Sequence, residues 1–170
     1  YNIVDKTIEP NDESDPDRIS KDTPIVYVPI TSDVTKSTKQ TVVFEGAGEK
    51  TPPINVKDDY VFTGKKDLTT NAITWKTSSH TYGSVSVPVV TGYYADKAEA
   101  GFKTVTLDEP AVTDKVIYKP LGKIIQVDEN FNVIPNSNSV TYENNPYNPR
   151  EAVETAIPAA PAGYKIRELQ

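Results

Sequence analysis

Aromatic side chains are the residues of this chain whose chemistry points most directly to a ligand. Trp75, Tyr82, Tyr93 and Tyr94 could stack on sugar rings, because the C–H faces of a carbohydrate pack on aromatic planes while its hydroxyl groups bind polar neighbours. Trp75 alternates in phase with Ile73 and is expected in the core, and one of the adjacent tyrosines must point inward on a strand. Tyr82 and Tyr94 are therefore the candidate ligand-binding residues, and the alternative that they pack inside stays open.

The residues that catalysis would need are scarce. His80 is the only histidine, and a Ser-His arrangement would also need an orienting carboxylate, an oxyanion hole and a nucleophile elbow, which the sequence does not contain. A lone imidazole cannot build a zinc site. We expect His80 to lie at a polar strand edge or in a loop. The sequence predicts neither catalytic residues nor a metal centre.

Two acidic stretches could offer oxygen ligands to calcium. Residues 128–132 (DENFN) begin like a calcium loop, but Val133 stands in place of the turn glycine and Ser139 in place of the twelfth-position glutamate. Residues 11–17 (NDESDPD) contain Pro16 and no glycine. We expect an Asn-rich turn in the first stretch and a solvated acidic linker in the second. No cofactor is predicted, and weak surface binding of Ca²⁺ is the alternative.

Composition narrows the classes of partner. The 170 residues carry a net charge of -6, which argues against nucleic acid or an anionic membrane as the main partner. No apolar run approaches the roughly 20 residues that would span a bilayer, so membrane insertion is not expected. The chain has no Cys and no Met and starts at Tyr1. This start predicts a piece of a longer protein, with any export signal or anchor outside it.

The elements that must position these residues are mostly short strands. The segments are β-branched and bounded by turn residues; they are QTVVFE from Gln40, YVFTG from Tyr60, AITWK from Ala72, GSVSVP from Gly83, KTVTL from Lys103, KVIYK from Lys115 and KIIQV from Lys123. Residues 148–156 (NPREAVETA) predict a helix capped by Asn148, and DKAEA from Asp96 predicts a shorter one. The predicted fold class is mostly β (α+β) with one or two short helices.

Two pieces of the sequence are repeated. DTPIVYVP (residues 22–29) parallels TDKVIYKP (residues 113–120), and the Pro-containing segment that ends in Gly92–Tyr93 parallels the one that ends in Gly163–Tyr164. Internal repetition of this kind indicates an array of similar units. We therefore expect residues 22–29 and 113–120 to be equivalent closing strands, with their tyrosines in matching environments.

The repetition also predicts the domain boundaries and the overall shape. Residues 1–36 would be the closing part of a preceding module plus a linker at TSDVTKST, residues 37–119 a complete domain, and residues 120–170 the opening part of the following module. Because such modules would join end to end, we expect an elongated tandem-repeat architecture.

An ordered set of fragments links the sequence to a known family. In chain order they are QTVVFEGAGEKTPP from Gln40, YVFTG from Tyr60, ITW from Ile73, VPVVTGY from Val87 and VIY from Val116. This set resembles the second domain type of Mub repeats, the mucus-binding, MucBP-related repeats of adhesins from lactic-acid bacteria. Residues 121–135 and 142–149 resemble the segment that often follows that domain, although Phe131 stands where the family usually carries Gly.

The resemblance carries its own expectations. It implies a ubiquitin-like β-grasp relative, repeated along a cell-wall-anchored surface protein of a Gram-positive bacterium that adheres to host mucin glycoproteins or their glycans. The implied location is extracellular, and neighbouring repeats of the same chain are implied partners. Some repeats of the family bind immunoglobulin, which is an alternative partner, and a spacer without a ligand of its own is an alternative role. No catalytic residues come with the family, and the residues disfavour an enzyme.

Overall fold

The described part of the chain is built almost entirely from short strands. The computed structural model describes residues 3–4 and 6–167. Its strands are β1 (Ile3–Val4), β2 (Thr7–Ile8), β3 (Thr31–Ser37), β4 (Lys39–Glu45), β5 (Asn55–Lys57), β6 (Val61–Asp67), β7 (Ile73–Trp75), β8 (Ser79–Thr81), β9 (Ser84–Ser86), β10 (Tyr93–Ala95), β11 (Glu99–Gly101), β12 (Thr104–Thr106), β13 (Ala111–Pro120), β14 (Lys123–Ile124) and β15 (Val140–Thr141). Among the described residues, helical turns are limited to two 3-10 helices, Pro16–Ser20 and Gly48–Lys50. The predicted, mostly β fold class is confirmed.

A four-stranded sheet forms the centre of the domain, in the order β10-β13-β4-β5. β4 and β13 are parallel and lie side by side, while β5 and β10 are antiparallel to them at the two edges. First and last strands in parallel at the centre are the arrangement of a β-grasp sheet. Because alternate side chains of a strand face opposite sides, β4 buries Val42 and Phe44, and β13 buries Val116 and Tyr118 against them.

A second sheet lies beside this core, in the order β3-β6-β7. Its inner face contributes Phe62 to a smaller core with Tyr82 and Val105, which Trp75 and Tyr60 flank. The antiparallel pairs β8–β12 and β9–β11 connect the two halves of the domain. The stretch from Thr31, which predicted a linker, is instead strand β3, since it pairs with β6 along its whole length.

The segment that follows the domain folds back onto the edge of β10. Ala95 donates its N–H to the carbonyl oxygen of Pro149 across 2.8 Å. The side-chain amide nitrogen of Asn144 donates to the carbonyl oxygens of Val90 and Tyr93 at 2.9 and 2.7 Å. A free edge strand invites pairing with other chains, and this segment covers it.

The predicted helix over residues 148–156 is wrong. Asn145 accepts the N–H of Tyr147 on its side-chain oxygen, Asn148 does the same for Arg150, and Ala152 forms an antiparallel bridge with Asn144. Asn side chains that bond the backbone two residues ahead favour turns over helix. The residues that predicted a helix start therefore close two consecutive turns.

The predicted helix in DKAEA is also wrong. Glu99–Gly101 is strand β11, and its residues pair with those of β9. A segment this short forms helix only marginally without tertiary support, whereas pairing with β9 satisfies its backbone groups.

The predicted strand at residues 22–29 is absent. The segment has no regular secondary structure and pairs with none of the described strands, and the Tyr27 side chain is 88% exposed, whereas Tyr118 is 2% exposed. The two tyrosines were expected in matching environments, and in this structure their environments differ. The physical reason is that β13 lies between β4 and β10, while residues 22–29 have no neighbouring strand within the described residues.

Phe131 adopts the left-handed backbone conformation that glycine favours. Its φ is +62°, in the left-handed region, and the Asp128 carboxylate accepts the N–H groups of Asn130 and Asn132 at 2.9 and 3.0 Å. The expected Asn-rich turn at residues 128–132 is therefore present, with a bulky residue in a backbone conformation that usually selects Gly or Asn.

Candidate ligand-binding surface

Tyr82, one of the two predicted ligand-binding residues, lies in the core. Its side chain is 3% exposed, its hydroxyl is 2.6 Å from the hydroxyl of Thr38 and it accepts the N–H of Tyr60 at 3.3 Å. A sugar ring cannot reach a side chain buried to this degree, so the assignment of Tyr82 is corrected. Its phenol instead satisfies polar groups that burial would leave without partners.

His80 belongs to the same aromatic group. Its ring stacks on that of Tyr60, with centroids 3.8 Å apart and planes at 3°, and meets Tyr82 edge to face at 4.9 Å. His80 lies in β8, which pairs only with β12 among the described strands. His80 thus lies on an edge strand, as predicted, and its imidazole ring packs against the rings of Tyr60 and Tyr82.

Tyr94, the second predicted residue, is half-buried on β10 and pairs with Lys119. Its neighbour Tyr93 packs against the main core, as expected from the alternation of the two residues along a strand. Tyr94 therefore stays a candidate for ligand contact at the side of the central sheet.

An open groove of about 590 Å³ lies on the second sheet. Its lining residues come from three adjacent strands and the position after β7: Asp33, Val34, Thr35, Thr63, Gly64, Lys65, Thr74, Trp75 and Lys76. In the sheet register Thr35 lies opposite Thr63, and Lys65 lies opposite both Asp33 and Thr74. Cross-strand partners share one face, so threonine hydroxyls and charged groups line this groove together.

The electrostatics of the groove centre on one ion pair. The Lys65 ammonium donates to the Asp33 carboxylate, and this hydrogen bond, with the charge of Lys65, holds the pKa of Asp33 below its ordinary value. Lys76 is exposed at the groove's end. The groove therefore carries two ammonium groups and one carboxylate, together with hydroxyls that both donate and accept hydrogen bonds.

Trp75 lies on the inner face of this sheet, beside the smaller core. It pairs with Gly64, and a Cβ at Gly64 would lie 2.7 Å from the Thr74 carbonyl oxygen and 3.0 Å from Cε3 of the indole. The Lys36 ammonium lies 5.8 Å from the centre of the indole ring, within the range of a cation–π interaction. Trp75 thus packs against the core, as its alternation with Ile73 predicts, although Ile73 itself is exposed.

Two features of the surface were missed by the sequence reasoning. Thr35, Thr63 and Thr74 form the polar face of the groove, and in β3 the exposed positions alternate with partly buried ones, which the almost wholly polar sequence TSDVTKS did not reveal. Phe102 is 71% exposed with a φ of +53°, and it sits beside Ser84 and Glu99 at a smaller groove. No local signal in the sequence identifies Phe102 as exposed.

The described residues offer neither a cluster of metal ligands nor a membrane-spanning helix. Residues 3–4 and 6–167 contain no cluster of three or more His, Asp or Glu side chains arranged to hold a metal ion. In the same part of the chain, no helix combines the length and hydropathy needed to cross a membrane.

Comparison with known proteins identifies the family. A sequence model of the Muc B2-like domain matches residues 30–122, more than half of the chain. The chain belongs to the Muc B2-like domain family. The match begins next to β3 and ends just after β13, so the Muc B2-like domain contains both sheets and the groove. Comparison with curated proteins gives no match.

Solved structures from two bacterial genera are similar to the Muc B2-like chain. A MucBP domain from Lactobacillus acidophilus is 23% identical with a TM-score of 0.41, over 55% of this chain and 99% of that one. The mucin-binding domain of a Streptococcus pneumoniae protein is 16% identical, TM-score 0.44, over 55% and 98%. The type 2 repeat of the mucus binding protein MUB from Lactobacillus reuteri is 21% identical, TM-score 0.40, over 53% and 58%.

Proposed function

We propose that this chain is a repeat of a bacterial cell-surface adhesin and binds host mucin glycoproteins through their glycans. The observation that carries the proposal is the Muc B2-like match over residues 30–122. The location that follows is extracellular, on a cell wall to which other parts of the protein attach it. The groove adds support, since it presents hydroxyl and charged groups that can form hydrogen bonds with an oligosaccharide.

The chemistry of the groove fits an acidic glycan. Thr35, Thr63 and Thr74 present hydroxyls on one face, and such groups exchange hydrogen bonds with the hydroxyls of a sugar. The Lys65 and Lys76 ammonium groups would bind carboxylate or sulfate groups on the glycan. The whole chain is acidic, with a net charge of -6, so attraction for an anion has to come from the local positive charge of the groove lysines.

Attachment is proposed to be multivalent. The groove is open and shallow, so a single repeat gains little from burial of its ligand. Tandem copies raise the effective concentration of the remaining sites once one repeat is bound. A mucin surface should therefore retain a chain of several repeats much longer than it retains one.

The test measures binding of the single chain and of a four-copy tandem to immobilised mucin. Thr63→Val and Thr74→Val together remove two hydroxyls while keeping the β-branched shape that suits a strand, and Lys76→Glu reverses one charge. We expect at least about a tenfold loss of affinity from each change, and slower dissociation of the tandem. Thr91→Val and Lys123→Glu, exposed positions outside the groove, serve as controls and should bind as the unchanged chain does.

Other outcomes would redirect the proposal. Equal losses in the groove and control variants would remove the groove as the contact surface. Absence of mucin binding by the tandem would overturn the proposal and favour a spacer role. Binding to immobilised immunoglobulin without binding to mucin would assign the alternative partner.

A further inference from the structure

We propose that residues 22–29 of one copy of this chain form a strand against residues 163–167 of another copy, in the register that β13 and β10 use within the domain. This inference goes beyond the proposed function, because it concerns the joining of copies and does not depend on any glycan. Its first support is the repetition between residues 22–29 and 113–120.

The turn before β10 and the turn before residues 164–167 share two backbone features. Gly92 has a φ of +87° and Gly163 a φ of +86°. The N–H of Tyr93 donates to the carbonyl oxygen of Val90 at 3.0 Å. The residue after the second glycine, Tyr164, donates to Pro161 at the same distance. The repeated sequence therefore folds into a repeated turn. The two turns differ in one contact, because Gly92 of the first turn donates its N–H to the Asn144 side chain.

The domain itself supplies the register. Tyr93 pairs with Pro120, Tyr94 with Lys119 and Ala95 with Tyr118. Carrying this register over residue by residue places Tyr164 opposite Pro29, Lys165 opposite Val28 and Ile166 opposite Tyr27.

Both segments are exposed and free to pair. Val26, Tyr27 and Val28 are 78–88% exposed and Ile166 is 59% exposed. Neither segment belongs to a strand in the described part of the chain. An exposed apolar segment outside the strands of a sheet can recruit a partner by strand addition.

The sequence differences between the two copies are compatible with pairing. Pro24 stands where the domain has Lys115 and lacks an N–H, but the N–H of Lys115 donates to the neighbouring Asp114 side chain at 2.9 Å. Arg167 stands where the domain has Asp96, whose carboxylate accepts the N–H of Ile117. The new ladder would therefore end at Ile166.

Charge favours a second copy as the occupant. Asp17 is exposed before the first segment and Asp22 is exposed at its first position, while Lys165 and Arg167 are exposed in the second segment. Opposite charges on the two segments steer one copy toward the other and disfavour pairing of two identical segments. A ladder of three residue pairs is short, so the association is weak between separate chains and becomes favourable when the copies are joined covalently.

The test compares the single chain with a covalent tandem of two full 170-residue copies by hydrogen–deuterium exchange and mass spectrometry. In the tandem, the end of the first copy is joined to the start of the second. The expected pairing is therefore between residues 163–167 of the first copy and residues 22–29 of the second. We expect peptides covering residues 25–28 to show two equal populations, one exchanging about a hundredfold more slowly. The single chain at micromolar concentration should show the fast population alone.

A variant pair separates pairing from general stability. Tyr27→Asp in the second copy should abolish the slow population, whereas Tyr147→Asp, at a 94% exposed side chain, should keep it. Both side chains are exposed in the single chain, so neither change should lower its melting temperature. A tandem with only fast exchange would overturn the proposal, and slow exchange in the dilute single chain would overturn the assignment to a second copy. No mucin is present, so failure here is distinct from failure of the proposed function.

Discussion

Gly92 donates its backbone N–H to the side-chain oxygen of Asn144 across 2.9 Å. The same amide group donates to two carbonyl oxygens of the Val90–Tyr93 turn, so one side chain satisfies three backbone groups. This side chain fastens the segment after the domain to the edge of β10.

The first prediction concerns this contact. Asn144→Ala removes three hydrogen bonds and takes the Asn144 partner from the Gly92 N–H and the Tyr93 carbonyl oxygen, which should cost about 1–3 kcal/mol. Urea unfolding measures this loss, and hydrogen exchange should be faster at residues 142–153 and at Ala95. Asn138→Ala, at an exposed side chain, is the matched control. Equal stability of the two variants would show that Asn144 does not hold the segment.

The second prediction is a dependence of stability on pH at Asp114. Burial raises the pKa of this carboxyl, but hydrogen bonds from the Gly101 N–H, the Lys97 ammonium and the Lys115 N–H outweigh burial and hold the pKa below its ordinary value. A carboxyl with a lowered folded-state pKa stabilises the fold at pH values above its unfolded pKa of about 3.9. That contribution is lost as the pH falls through the folded pKa.

Thermal unfolding between about pH 2 and pH 7 checks this expectation. Asp114→Asn should lower the melting temperature at pH 7 and flatten its decrease in acid. Asp33→Asn is the control, because Asp33 is exposed and its ion pair with Lys65 is screened by solvent. If both variants kept the full acid dependence, Asp114 would not be its source.

The third prediction concerns Tyr82, one of the two tyrosines that the sequence predicted to bind a ligand. Tyr82→Phe should destabilise the domain by about 1–2 kcal/mol, since the N–H of Tyr60 loses its acceptor inside the core. Mucin retention by the folded variant should be unchanged, because the side chain is buried. Guanidinium unfolding and a retention assay measure the two effects. A folded Tyr82→Phe protein that lost mucin binding would contradict the packing role given to Tyr82.

The fourth prediction concerns Phe102. A phenylalanine in the left-handed region is strained by roughly 1–2 kcal/mol, and asparagine adopts that region more readily. Phe102→Asn should therefore stabilise the protein by about 1 kcal/mol, as measured by urea unfolding. Tyr147→Asn is the control, since Tyr147 is also exposed and is not among the described residues with positive φ. A loss of stability at Phe102 would mean that its ring packs usefully.

Sequence patterns predicted the core strands because alternation is a local property. Val42 and Phe44, and likewise Val116 and Tyr118, are two residues apart and turn to one side of an extended chain whatever surrounds them. The turn of hairpin β6–β7 is local as well, because the Asp67 carboxylate accepts the N–H of Thr69 two residues ahead. The turn at Phe131 also follows the local pattern, since Asp128 closes it from within.

Where a sequence pattern suits two local structures, contacts with residues distant in the sequence determined which one forms. Asn148 and Pro149 suit a helix start as well as a turn, and the bridge between Asn144 and Ala152 selected the turn. Tyr82 has no feature that distinguishes it from an exposed tyrosine. Only Thr38, 44 positions earlier, shows that its hydroxyl is held inside.

The sequence by itself determined that this protein is a β-rich member of the Muc B2-like domain family, with repeated segments. Tertiary structure decided which aromatic residues are buried and brought threonines and lysines of three strands together as a groove. It also showed that Tyr27 and Tyr118, in segments of similar pattern, differ in burial. The physical reason is that a sequence sets the periodicity of a strand, whereas burial requires a partner strand.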